Sequence, residues 1–163
     1  MIPKKIMIII VGVAFLCVIF GVFGIWSFVF SHANPPLYKT QITIKNLVFS
    51  AEVASSTVAR ARGLSGRDGL RENEGMLFLF NYSSIQNFWM KDMKFPIDII
   101  WIGGGKVLGF IENASTPGAD MPFWKLKIYS SPKNVDTVFE VNAGTVAKGN
   151  IKIGDLANIS ITK

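Results

Sequence analysis

A chain of 163 residues, half of them hydrophobic, with mean hydropathy +0.37 and formal net charge +6, has room for one domain and an appendage. Its single cysteine, Cys17, and single histidine, His32, both sit near the start, which excludes disulfides, Cys/His zinc sites, Ser-His-Asp triads and Cys-His pairs from the domain that follows. The basic residues are dispersed apart from Arg60, Arg62, Arg67 and Arg71, and no basic stripe carries stacking aromatics, so nucleic acid is not the expected partner.

From Ile6 to Phe30 no residue is charged. As a helix rising about 1.5 Å per residue, this run would span roughly 37 Å, more than the ~30 Å hydrocarbon layer, and a modest tilt absorbs the surplus. Lys4 and Lys5 precede it and favour an N-inside orientation. The expected organisation is a cytoplasmic N-terminus at 1–5, a single-pass transmembrane anchor at 6–30, a linker at 31–39 and a β domain at 40–163 outside the cytoplasm. Ser31-His32-Ala33 is a small-x-small triplet, so the alternative is a signal peptide cut near Ala33 and a secreted domain. Asn34-Pro35-Pro36 reads as a short stiff spacer that keeps the domain close to the membrane surface.

Thr40–Ile44 and Leu47–Val53 read as strands around Lys45-Asn46. Ser55-Ser56 offers N-caps for a short helix at Thr57–Arg62, which Gly63 stops. Leu64–Glu74 is polar and punctuated by glycine, hence a loop. Gly75–Phe80 is a continuous apolar run, the mark of a core strand, and Ile85–Lys91 is expected to be another. Ile97–Ile102 and Lys106–Glu112 form a hairpin around Gly103-Gly104-Gly105. Asn113–Trp124, with Pro117 and Pro122, is a long loop; Lys125–Tyr129 is an edge strand whose lysines discourage pairing. Val135–Asn142 is a strand, Ala143–Lys148 a turn or short helix, and Leu156–Thr162 closes the domain. Eight or nine short strands with one brief helix imply an all-β sandwich or barrel.

Several of these stretches, taken together and in order, resemble the family called domain of unknown function 192. They are Ala61-Arg62-Gly63-Leu64 with Arg67, Glu74 to Phe80, Phe88-Trp89-Met90-Lys91-Asp92-Met93, Pro96-Ile97-Asp98-Ile99-Ile100, and Phe139 to Gly144 with Gly149 and Gly154-Asp155. The resemblance implies a jelly-roll-like β-sandwich and a frequent extracytoplasmic location, and it implies no activity. Ser65 stands where the family often has Met, and Asp92-Met93 where it often has Asn-Thr.

The polar candidates are few. Asp98 lies in a strand with two apolar faces, Ile100 and Ile102 sharing its side and Ile97, Ile99 and Trp101 the other. It is therefore expected to be buried, as an ion pair with Arg62, Arg67 or Lys91, as a loop clamp, or as a site carboxylate. Glu140, between Phe139 and Val141, poses the same choice. If the two faced one cleft about 5–9 Å apart they would suit glycosidase-like acid/base work. Asp155 after Gly154 reads as a turn residue. Phe88, Trp89 and Met90 cannot all face one core, so either both faces of the sheet are covered or Trp89 is exposed for binding. Trp101, Phe123 and Trp124 add aromatic surface. Met90 and Met93 are poorly placed for a cuprous ion, and no metal or other cofactor is expected.

The leading expectation is a membrane-anchored extracytoplasmic binding domain for an envelope glycan or protein partner, with Trp89, Lys91, Asp98, Arg62, Arg67 and Glu140 as binding candidates. The alternative is a carboxylate-dependent hydrolase of envelope polymers using Asp98 and Glu140. A non-enzymatic role is favoured.

Overall fold

The computed structural model describes residues 34–118 and 121–160. The anchor expected at 6–30, the residues before it, Cys17, His32 and the triplet ending at Ala33 lie outside the described residues, as do the last three positions. Among the described residues no helix is long and apolar enough to cross a membrane.

The class is all-β. The chain runs β1 (Lys39–Ile44), β2 (Leu47–Ala54), α1 (Thr57–Arg62), β3 (Glu74–Ser84), β4 (Asn87–Trp89), β5 (Ile97–Gly103) and β6 (Lys106–Ala114). A 3₁₀ turn (Phe123–Lys125), β7 (Ile128–Ser130), β8 (Val135–Asn142), α2 (Thr145–Gly149) and β9 (Ala157–Ser160) follow. Seven strands make one curled sheet in the order β6-β5-β8-β3-β2-β1-β9, and β4 and β7 form a separate ribbon. The strands thus divide seven and two, where a jelly roll carries two sheets of comparable size.

The turn chemistry is legible. Gly104 and Gly105 take φ of 57° and 71°, so the β5–β6 hairpin turns on two left-handed residues, a conformation glycine adopts without strain. Ser56 caps α1 by accepting a hydrogen bond from the Ala59 amide at 3.1 Å. All neighbours in the large sheet run antiparallel except β2 and β3, which are parallel. Parallel neighbours need a crossover connection, and α1 with the 63–73 loop supplies it.

Both faces of the sheet are covered. On one, Ile42, Phe49, Leu77, Ile100, Phe139 and Val141 pack with Val146 and Ile151 from α2 and the chain after it. On the other, Met76, Phe78, Ile99, Trp101 and Val138 pack beneath α1, its loop and the ribbon. Phe88 of β4 anchors the ribbon, its ring 4.9 Å from Phe78 and 5.5 Å from Trp101, edge-on to both. Two covered faces explain why every residue of β5 from Ile97 to Ile102 is buried, with the alternation expected from its sequence.

The expected strand at Ile85–Lys91 shortens to β4. Past Trp89 the chain turns, the Met93 amide bonding the Met90 carbonyl at 3.2 Å, and Asp92 takes φ of 56°. Met90 and Met93 therefore both enter the same core cluster. The Asn34-Pro35-Pro36 segment is docked rather than a free spacer: the buried Asn34 side chain donates to the carbonyls of Ala59 and Gly63, both at 2.9 Å, at the C-terminal end of α1.

Asp98 is 0 % exposed and acts as a clamp. It pairs with none of Arg62, Arg67 and Lys91. Its Oδ1 accepts from the amides of Asn113 at 2.8 Å and Gly144 at 3.1 Å, and its Oδ2 from Val146 at 2.8 Å. Gly144, the N-cap of α2, has no side chain to cap the helix, so a strand carboxylate supplies the acceptor. Asp98→Ala leaves three amides unsatisfied, each costing about 1–3 kcal/mol. The total of several kcal/mol lowers Tm by roughly 10 °C or more. Asp68→Ala, which removes an exposed partner of Lys94, leaves the melt where it is. Paired thermal melts check this; an Asp98→Ala protein as stable as its parent would refute the clamp.

Candidate functional site

The crossover and the ribbon lie on the same face of the sheet, and a cleft of about 330 Å³ remains between them. Its walls come from Thr57 and Arg60 to Ser65 on one side, and from Gln86 to Trp89 with Met93 on the other. Its floor is Phe78 and Phe80 of β3 and Glu140 of β8. Gly63 turns the chain here with φ 51° and ψ −131°, a region closed to side-chain-bearing residues, and a Cβ would sit 3.3 Å from the Phe78 ring.

The two walls are stitched together. Ser65 donates its hydroxyl to the Lys91 carbonyl at 2.7 Å, and the Gly66 amide bonds the Asp92 carbonyl at 2.9 Å. These are the positions at which the chain departs from the family pattern. Ser65 closes the contact through its hydroxyl, and Asp92 tolerates the left-handed backbone as Asn does. Arg60 donates to the carbonyls of Ser55 and, at 3.0 Å, Leu79, and its guanidinium lies 5.1 Å from the Phe80 ring centre.

Glu140 is the singular group in this cleft. It is 5 % exposed and opposite Met76 on one neighbouring strand and Ile99 on the other. It makes no hydrogen bond or ion pair with any of the described residues, yet no fully enclosed side-chain oxygen among them lacks a partner, so its carboxyl keeps access to the cleft. Burial pushes its pKa up to about 8. At neutral pH it is a carboxylic acid, able to donate a hydrogen bond as well as accept one.

The candidates from sequence separate clearly. Trp89, Arg62 and Glu140 line the cleft together. Asp98 does not join them: it is opposite Val141 in the β5–β8 register, whereas Glu140 is opposite Ile99, which places the two carboxyls on opposite faces of the sheet. Arg67 is spent on Glu52 of β2 through two hydrogen bonds of 2.8 and 2.7 Å. Those bonds hold the Glu52 carboxyl below its ordinary range and the guanidinium above its own. Lys91 pairs with Asp92. Asp155 accepts from the Lys152 amide at 2.7 Å, the turn role expected of it. Sequence reasoning missed Glu52, although an acid alternating with buried Ala51 and Val53 needed a cation. It also missed Gln86, Asn87, Phe78 and Phe80 as lining, because only the crossover brings them together.

The family model described as DUF192, Uncharacterized ACR, matches residues 40–159. The chain is similar to the crystal structure of a protein from Sinorhizobium meliloti 1021, provisionally named as a transcription regulator, with TM-score 0.69 and 26% identity over 78% of this chain and 98% of that one. It is also similar to a protein of unknown function from Novosphingobium aromaticivorans DSM 12444, with TM-score 0.68 and 28% identity over 78% of this chain and 91% of that one. No curated protein matches the chain.

The raised pKa of Glu140 makes stability depend on pH. Folding holds its proton up to about pH 8, while the unfolded chain releases it near the ordinary glutamate value of 4.5. Its contribution is full below the lower value and declines by about 1.4 kcal/mol per pH unit between the two. Glu140→Gln removes the titration, so the variant's stability gains on the parent's as pH rises from about 4.5 to 8. Urea melts of both across that range test it; a constant difference would show that Glu140 ionises normally.

Proposed function

The chain belongs to the domain of unknown function 192 family, and from that starting point we propose that it is a membrane-anchored, extracytoplasmic binding domain that takes a saccharide of the cell envelope in the Glu140 cleft. The observation that carries this reading is a buried, unpartnered carboxyl facing a cleft walled by aromatic rings. Phe78, Phe80, Phe88 and Trp89 offer flat apolar surface for the C–H faces of a pyranose, while Gln86, Asn87 and Glu140 offer donors and acceptors for its hydroxyls. A ligand hydroxyl would complete the hydrogen bonding that Glu140 lacks. The cleft volume is at the lower end of small-ligand sites and suits one or two sugar rings.

Binding is favoured over hydrolysis because Glu140 is the only carboxyl among the described residues that line the cleft, and Asp98 lies across the sheet. A two-carboxylate mechanism has no second member among the described lining residues. A nucleic-acid role is not favoured, since Arg67 is committed to Glu52 and Arg60 to backbone carbonyls. The tether rests on the uncharged run from Ile6 to Phe30.

Chitotriose and cellotriose titrated into the full chain in detergent, read by tryptophan fluorescence and calorimetry, test the ligand class. Trp89→Ala weakens binding about tenfold, the loss of one stacking partner worth about 1.4 kcal/mol. Glu140→Leu weakens it at least as much, and Glu140→Gln, which keeps a donor and an acceptor, retains most of it. No binding of either sugar at millimolar concentration would reject the saccharide reading, and liberated reducing ends would favour the hydrolase.

A further inference from the structure

Six of the large apolar side chains exposed on the protein belong to one small module: Ile85 and Trp89 on and beside β4, Met121, Phe123 and Trp124 before β7, and Ile128 on it. Phe123 is 62 % exposed and Trp124 is 70 % exposed, their rings stacked edge-on at 5.2 Å. Trp89 and Ile128 are cross-strand partners and so share one side of the ribbon, while Phe88 and Tyr129 point from the other side into the core. A stable monomer gains nothing from showing water this much aromatic surface.

We propose that this module rests on the surface of an anionic phospholipid bilayer, with Trp89, Phe123, Trp124 and Ile128 at the level of the headgroups. Two independent observations select a bilayer over a protein partner. The first is charge. Lys125 and Lys127 alternate with Trp124, Leu126 and Ile128, and Lys127 holds its ammonium 4.7 Å from the Tyr129 ring. Tryptophan with interleaved lysine suits the interface, where rings sit among headgroups and ammonium groups meet phosphates. A second copy would set like charges against one another.

The second observation is the path of the chain. The Asn34 side chain is fixed to the carbonyls of Ala59 and Gly63, and Gly63 lines the same cleft as Trp89. Asn34 is four residues past Phe30, the end of the uncharged run, and at no more than about 3.6 Å per residue it lies within roughly 14 Å of that point. A bilayer that holds the run must therefore lie on the cleft side of the domain. The inference rests on the tether proposed above and not on the identity of the ligand.

The test uses the full chain carrying Trp26→Phe, so that no tryptophan of the uncharged run contributes, reconstituted into phosphatidylglycerol vesicles with brominated acyl chains. Trp101, 1 % exposed in the core, serves as the unquenched reference. Bromine quenches much of the emission, and replacing Trp89 and Trp124 with Phe abolishes most of that quenching. If the chain floats with the vesicles but its emission is unquenched, the tether stands and the bilayer contact is refuted. Emission that shifts with protein density without quenching assigns the surface to a second copy and refutes it equally. A chain that does not float with the vesicles overturns tether and contact together. Loss of sugar binding in Glu140→Leu leaves the quenching intact, which keeps the two readings separable.

Discussion

A sheet with both faces buried is the constraint on which this molecule depends. Once β5 and β8 lie side by side inside it, nearly every side chain they carry is removed from water, polar or not. Two carboxyls are caught this way, on adjacent strands and opposite faces. Asp98 finds three amides and ties β5 to the end of β6 and the start of α2. Glu140 finds none, and burial keeps its proton on. The cost of burying a carboxyl is met by hydrogen bonds from the backbone in one case and by neutralisation in the other. The first fate builds the fold, and the second leaves a group with unspent hydrogen-bonding capacity at the floor of a cleft.

The position of that cleft follows from a single parallel pairing. Antiparallel strands can be joined by a tight turn, but β2 and β3 cannot, and the chain must cross over one face to make the connection. The crossover is α1 and its loop, fastened by Arg67 to Glu52 at one point and by Ser65 and Gly66 to the 91–92 turn at another. The ribbon is held at a fixed distance from it by Phe88 on Phe78 and Trp101. A rigid gap between two such modules is the kind of place where side chains from distant segments can meet a ligand.

Much of this was readable from sequence where local chemistry decides. Ser56 and Gly63 bracket a helix whose bounds agree to the residue, and the apolar alternation of β5 and the extent of β8 came through intact. What local chemistry could not supply was partnership. The acceptor role of Asp98 is directed at backbone amides, which leave no side-chain signature, so the sequence suggested arginine or lysine instead. Asn34, beside two prolines, looked like spacer because the carbonyls it bonds belong to a helix end twenty-five or more residues away. Burial of Glu140 could be inferred from Phe139 and Val141, but its lack of a partner depends on the crossover above it. The short β4 was obscured because Phe88, Trp89 and Met90 continue an apolar pattern past the point where Asp92 turns the chain.

The outermost pairing carries a consequence for how the domain is made. β1 has β2 beside it at once but acquires β9 only after the strands between them in the chain have been made. Until then its outer edge presents an open row of amides and carbonyls, with Ile42 and Ile44 awaiting cover from Ala157 and Ile159. An edge of that kind is a template for pairing between chains, and nascent copies held close together are where such pairing competes with folding. Thr40, whose hydroxyl bonds the Ser160 carbonyl across this last seam, then latches the edge against the strand that arrives late.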